Sequence, residues 1–247
     1  FDAGFTGLEE RELSGRTRFT AFFSPDASPD PIRLLARMLV TVATEPPPGR
    51  ILSASTVPVE DWEWKWREGL GAVETGRRIV VRPSWIEYRN AGGRIEIVID
   101  PKMAFGTGGH ATTVLCLESL ERLDPAGKTV IDCGCGSGVL SIAAAKLGAA
   151  RVYGFDNDPP SVENASENIL LNGAADRVTV ETAELSDARP EPSDILLANL
   201  ISGVIAAHID RLRSFLVHGG TAVFSGMLAE EEKPMRELFE NGGFRVR

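Results

Sequence analysis

From Lys128 onward, apolar and polar positions alternate in blocks. Short apolar runs, TVIDC (129–133), RVYGFD (151–156), RVTVE (177–181), DILLAN (194–199) and TAVFSG (221–226), read as strands. Between them lie longer segments of helical period: SGVLSIAAAKLG (137–148), PSVENASENILLNG (160–173), ISGVIAAHIDRLRSFL (201–216) and a charged stretch near 229–241. Strands alternating with helices predict a mostly parallel sheet covered on both faces, a doubly wound α/β fold. Residues 243–247 read as the beginning of another strand. Upstream, RTRFTAFFS (16–24) predicts a strand. Pro31 opens a helix with Ile32, Leu35, Leu39 and Val42 at helical spacing, which Pro46-Pro47-Pro48-Gly49 must stop. VEDWEWKWRE (59–68) predicts a short polar helix with Trp62 and Trp66 on one face. That face either packs a linker onto a neighbouring domain or stacks on a ligand. RIVVR (78–82) and RIEIVI (94–99) predict strands separated by a turn signal at Asn90–Gly93, and an amphipathic helix is expected near 112–123.

A chain of 247 residues, 43% hydrophobic and 25% charged, has the composition of an ordinary globular protein with a sizeable core. No apolar run approaches the roughly 18 residues of a membrane span, and no secretory leader is legible. The net charge of −9 changes the list of partners. Residues 101–247 carry 20 acidic against 13 basic side chains, so a nucleic-acid partner would be repelled, whereas a basic protein or a small cation is favoured. Three cysteines, Cys116, Cys133 and Cys135, make no disulfide framework and fit a reducing cytosol. Cys133 and Cys135 lack the further ligands a metal needs, and no metal is expected.

The candidate chemistry begins at Asp132-Cys133-Gly134-Cys135-Gly136-Ser137-Gly138, between a predicted strand and an alanine-rich helix. Glycines there let the backbone turn sharply and approach a ligand. The dinucleotide spacing G-x-G-x-x-G fails, because the sixth position from Gly134 is Val139. The Asp132 carboxylate would repel a pyrophosphate but attract the α-ammonium group of a methionine moiety. D-x-G-x-G-x-G thus fits S-adenosylmethionine better than NAD or FAD. Asp156 ends the next strand, 22 residues after Gly134, where a carboxylate can accept both ribose hydroxyl protons. Asp158, followed by two prolines, reads as a helix cap instead. Asn199 ends the strand DILLAN, where an amide either orients a nucleophile or caps the following helix. It is followed by Leu200-Ile201-Ser202 rather than the Pro-Pro-aromatic run common in enzymes that methylate base amines or glutamine.

These segments, together with DPKMAFGTGGHATT (100–113), resemble the PrmA family, class I methyltransferases that modify the stalk-base protein L11 of the large ribosomal subunit. The similarity runs from about Val57 to the C-terminus, and the AFGTG-x-H-x-TT stretch is its most specific part. Gly109 and Ala111 depart from the family's usual Thr and Pro. The resemblance implies a Rossmann-like catalytic domain over 69–247, a linker helix over 58–68 and a partial N-terminal α/β substrate-recognition domain over 1–57, similar only to the later part of the family's own. It implies S-adenosylmethionine as methyl donor. Phe105, Gly106, Thr107, Gly108 and His110 would form the loop over the donor. Thr113, Asp132, Gly134, Gly136, Gly138, Asp156 and Asn199 would line the donor site, with Asn199 and His110 as candidate catalytic residues. The expected acceptors are lysine side chains or the N-terminal amine of a basic ribosomal protein in the cytoplasm. A different protein lysine, a small molecule, or a silent cofactor-binding scaffold are the alternatives.

Overall fold

The computed structural model describes the backbone of residues 5–13 and 16–23, and residues 70–100, 102, 106 and 108–246 in full. The chain divides into two compact units, Phe1–Val59 and Glu60–Arg247. The expected helices opening at Pro31 and spanning 58–68 lie outside the described residues.

In the first unit β1 (Phe5–Leu13) pairs antiparallel with β2 (Arg16–Phe23), with a register shift between Phe5 and Gly7. Only β2 is legible in the sequence. β1 carries Glu9, Glu10, Arg11 and Glu12 in succession, which hides any period of two.

The first described elements of the second unit form a three-stranded sheet of β3 (Val73–Thr75), β4 (Ile79–Arg82) and β5 (Ile95–Val98). The turn signal between the predicted strands at 78–82 and 94–99 does not close a hairpin. β4 and β5 run parallel, while β4 pairs antiparallel with β3, which the sequence reading lacked. Ile79, Val80, Val81 and Ile97 are buried, and the Arg77 amide donates to Glu121 at 2.9 Å, tying the β3–β4 turn to α1 (Ala111–Leu123).

The main sheet contains β6 (Thr129–Cys133), β7 (Arg151–Asp156), β8 (Val178–Thr182), β9 (Ser193–Asn199) and β10 (Leu216–Ser225), all parallel, in the order β10-β9-β6-β7-β8. Alternate residues feed two cores. Val130, Val152, Ile195 and Leu197 join one apolar cluster with α1, α2 (Val139–Lys146) and α3 (Pro159–Leu171). Ile131, Cys133, Phe155, Leu196 and Ala198 join the other with Leu212, Phe215, Met235 and Phe239. Both faces are therefore buried, as a parallel sheet requires. The strand order reverses between β6 and β9, and the crevice at their C-terminal ends is where open α/β sheets bind ligands.

Two expectations need correction. The single helix over 201–216 is two short helices, α4 (Ser202–Ala207) and α5 (Ile209–Ser214), broken at His208, whose φ of −126° and ψ of 19° leave the helical region. The apolar spacing continues across the break, so the sequence period does not reveal it. Phe244, Arg245 and Val246 form no strand. Phe244 instead meets Phe224 edge-on at 5.3 Å, beside Phe239 of α6 (Glu232–Asn241), which stacks on Phe224 at 4.6 Å.

Candidate functional site

The pleat and register bring the ends of four strands together. Cys133 lies opposite Phe155 and Ala198, and Ser225 lies opposite Asn199. The glycine turn leaves β6 at this level. Gly134 has φ of 69°, and a Cβ there would sit 2.5 Å from Leu200 Cδ2, so only glycine fits both the backbone and the space. The amides of Gly134 and Cys135 both donate to the Phe155 carbonyl, at 2.9 and 3.0 Å, which pins the turn over the end of β7. Gly136 and Gly138 are buried behind it, and Gly138 caps α2 with its left-handed backbone.

Asp156 stands beside this turn. Its Oδ2 accepts from the Gly136 amide at 2.9 Å and its Oδ1 from the Asp158 amide at 3.1 Å. The carboxylate is thus aimed and half-exposed, with lone pairs left for a diol. Asp158 does what its sequence suggests: Oδ2 accepts from the Ser161 amide and hydroxyl, at 3.1 and 2.7 Å, capping α3.

Asp132 is 1% exposed. Its Oδ2 accepts from Ser141 Oγ at 2.6 Å, while Oδ1 is buried without a partner. Desolvation pushes the carboxyl up to about 6 against the opposing Ser141 hydrogen bonds, with nearby Asp156 a lesser contribution. Between the ordinary carboxylate range and about pH 6 the folded protein therefore holds a proton that the unfolded chain has lost. Its stability falls as pH rises through that window, by about 3 kcal/mol at the upper end, and stays low above it. We expect Asp132→Asn to remove this pH slope in thermal melts and to raise stability at pH 8. A cation at Oδ1 reverses the sign, so binding of a cationic ligand should strengthen as pH rises through 6. A slope that survives the substitution would reject the assignment.

Asn199 closes the crevice from β9. Its Nδ2 donates to Thr113 Oγ1 over a long 3.5 Å, leaving Oδ1 without a partner among the described residues. Thr113 is 1% exposed in the first turn of α1, and Thr112 accepts from Ser225 Oγ at 3.2 Å, so α1 and β10 are joined here too. His110 is the N-cap of α1. Its Nδ1 accepts from the Thr112 amide at 3.4 Å and lies 2.7 Å from Thr112 Oγ1. Gly106 is held against the glycine turn, its carbonyl accepting from Ser137 Oγ at 2.7 Å, and Gly108 lies against Val81. Phe105 and Thr107 fall outside the described residues. The structure thus gathers Gly106, Gly108, His110, Thr113, Asp132, Gly134, Gly136, Gly138, Asp156 and Asn199 around one crevice.

Sequence reasoning missed a second layer. Asn164, Asn168 and Asn172 stand four apart on α3 and grip the segment that leads into the 100–113 loop. Asn172 accepts from the Val98 amide at 2.9 Å and donates to its carbonyl at 2.6 Å. Asn168 accepts from the Asp100 amide at 3.0 Å and donates to the Ser137 carbonyl at 2.9 Å. Asn164 donates to the Asp100 carbonyl at 2.8 Å. The signal was the N-x-x-x-N-x-x-x-N spacing itself, three amides on the face a helix turns inward.

The site has a buried carboxylate oxygen in want of a cation, a half-exposed carboxylate at the tip of β7, and a turn whose three glycines all hold positive φ. A cationic nucleoside fits this set, and a pyrophosphate does not. Residues 3–247 match the family described as ribosomal protein L11 methyltransferase (PrmA). The chain belongs to this family. A ribosomal protein L11 methyltransferase from Pelotomaculum thermopropionicum is 43% identical over 213 residues, covering 86% of the chain and 67% of that relative. One from Bacillus cytotoxicus is 39% identical over 197 residues, covering 79% of the chain and 63% of the relative. The chain thus spans about two thirds of the length of the family members it matches. A crystal structure of ribosomal protein L11 methylase from Lactobacillus delbrueckii subsp. bulgaricus superposes with a TM-score of 0.66 at 30% identity, over 71% of this chain and 90% of that one. The fold is accordingly that of the Rossmann-like methyltransferases.

Proposed function

We propose that the chain transfers methyl groups from S-adenosylmethionine to amino groups of ribosomal protein L11, on lysine side chains or the N-terminus. The single observation that carries this reading is the pairing of the Asp132–Gly138 turn with Asp156 at the switch point of a chain in this family. Asp156 would hold the ribose hydroxyls. The buried Asp132 Oδ1 would face the α-ammonium group, and Gly134 would let the backbone approach.

When bound, S-adenosylmethionine supplies an electrophilic methyl group on a positively charged sulfur. The protein's part is alignment, which converts an encounter into a near-attack geometry. Asn199 Oδ1 accepts a hydrogen bond from the acceptor amine and turns its lone pair inward. An amide cannot take the proton, so the amine must arrive neutral, although a free lysine titrates near 10.4. His110 would hold the start of α1, and with it Thr113, against Asn199. We assign the first unit to acceptor recognition, by its similarity to the later part of the family's N-terminal domain. The setting is the cytoplasm. Cys116, Cys133 and Cys135 are all buried free thiols, and no described helix is long and apolar enough to cross a membrane.

The test is incubation with labelled S-adenosylmethionine and ribosomal proteins from cells lacking this modification. Label in L11 is the expected result. Label in another protein, or none, rejects the assignment of substrate or of activity. Asn199→Ala should lower kcat by roughly 10²-fold with donor affinity changed less than about threefold. Wild-type turnover in that variant would remove Asn199 from the amine.

A further inference from the structure

Ile201 and Leu228 are each 68% exposed, large apolar side chains in the loops that follow β9 and β10. Single exposed apolar residues are common on protein surfaces. These two are distinguished by where they stand and by how firmly they are held. Ile201 lies two residues beyond Asn199, and Leu228 three beyond Ser225, its neighbour in the ladder. The Leu200 amide donates to the Ser225 carbonyl at 3.0 Å. Gly226 has φ of 88°, and a Cβ there would meet the Leu200 carbonyl oxygen at 2.5 Å, so the two loops touch backbone to backbone. The Glu231 carboxylate then staples them, accepting from Ser202 Oγ at 2.5 Å and from the Leu228 amide at 2.8 Å. Those two bonds hold the Glu231 carboxyl below its ordinary range.

Charge says what such a surface takes. Glu230 and Glu232 are exposed on either side of the staple, Glu232 paired with Arg236 one turn along α6 at 3.5 Å and Glu230 in no ion pair among the described residues, within a part of the chain whose excess charge is negative. A partner must offer apolar length together with positive ends. Lysine and arginine do both, laying methylene stems along apolar surface while the heads reach carboxylates. We infer that Ile201 and Leu228 form an apolar shelf beside Asn199 on which a lysine- and arginine-rich segment of the acceptor protein docks. The shelf sets which amine reaches Asn199, and it rests on the reading of the chain as a protein methyltransferase.

Steady-state kinetics with unmethylated L11 and labelled S-adenosylmethionine test it. The double variant Ile201→Ser/Leu228→Ser should raise KM for the protein about tenfold or more, leaving kcat and the calorimetric donor Kd within about twofold. Val217→Ser, an exposed apolar position near the start of β10, should leave KM unchanged. Glu230→Gln, which leaves the Glu232–Arg236 pair intact, should raise KM and flatten its dependence on salt. Should the serine pair fail to fold, Leu228→Gln alone carries the same comparison. An unchanged KM in the shelf variants, with wild type still labelling L11, overturns the shelf alone. No label from wild type brings down the functional reading and the shelf with it. A concentration-dependent dimer that the serine pair abolishes would assign the shelf to a second copy of the chain and also overturn the proposal.

Discussion

Asp156→Ala is expected to weaken S-adenosylmethionine binding at least about 100-fold, with the fold retained. The carboxylate would accept two ribose hydroxyls, and hydrogen bonds to a charged group contribute about 1.5–3 kcal/mol each, against 1.4 kcal/mol per tenfold in affinity. The same substitution strips the Gly136 amide of its acceptor, loosening the turn itself. Isothermal calorimetry reads the effect directly. Asp158→Ala is the control. It costs the α3 cap, about 1 kcal/mol of stability, and should leave donor affinity within about threefold. Equal losses in the two variants, or none in the first, would take Asp156 out of the ribose role.

The second large effect is expected at Asn168, far from any reacting atom. It is 1% exposed and joins three segments: α3, the Asp100 amide ahead of the loop, and the Ser137 carbonyl within the glycine turn. Asn168→Ala strips the buried Ser137 carbonyl and the partly buried Asp100 amide of their side-chain partner, at about 1–3 kcal/mol apiece, so about 3 kcal/mol of stability and about 10 °C in Tm should be lost. Because Ser137 Oγ also holds the Gly106 carbonyl, the loop should loosen as well. Donor affinity should fall about tenfold even at temperatures well below unfolding. Asn168→Asp should recover neither, since a carboxylate would face two carbonyl oxygens, those of Ser137 and Asp100. A stability loss with unchanged affinity would make the residue structural only.

The main sheet was legible because its central strands β6, β7 and β9 are short and largely apolar on both faces, while β10 begins at Leu216, ahead of the predicted 221–226, because its exposed first half carries no apolar alternation. The candidate site was legible as a grouping because its signals are local: the turn spans seven consecutive residues, and Asp156 and Asn199 each end a strand. The misreadings come from relations that are not local. Nothing in RIVVR or RIEIVI says that β4 lies between an antiparallel and a parallel partner. The break at His208 is invisible because Ile205, Ile209 and Leu212 keep helical spacing across it. The role of the asparagines on α3 was not legible because a hydrophobic–polar pattern does not mark an amide as inward. Here the inward face meets backbone rather than apolar side chains, and an amide is what backbone pairs with.

The last of those asparagines, Asn172, is followed by Gly173. In a free chain this is a chemically fragile pair, since no side chain on glycine hinders attack of its nitrogen on the amide carbon, with loss of ammonia. In the folded protein the Asn172 amide is held at both ends by Val98 and at Nδ2 by the Asn168 carbonyl as well, while the Gly173 nitrogen donates to Leu170 at 3.0 Å. Nucleophile and target are both restrained. The grip that steadies the loop thus also shields the chain from spontaneous ageing, and an aspartate or isoaspartate at position 172 would be the chemical record of a molecule that had spent time unfolded.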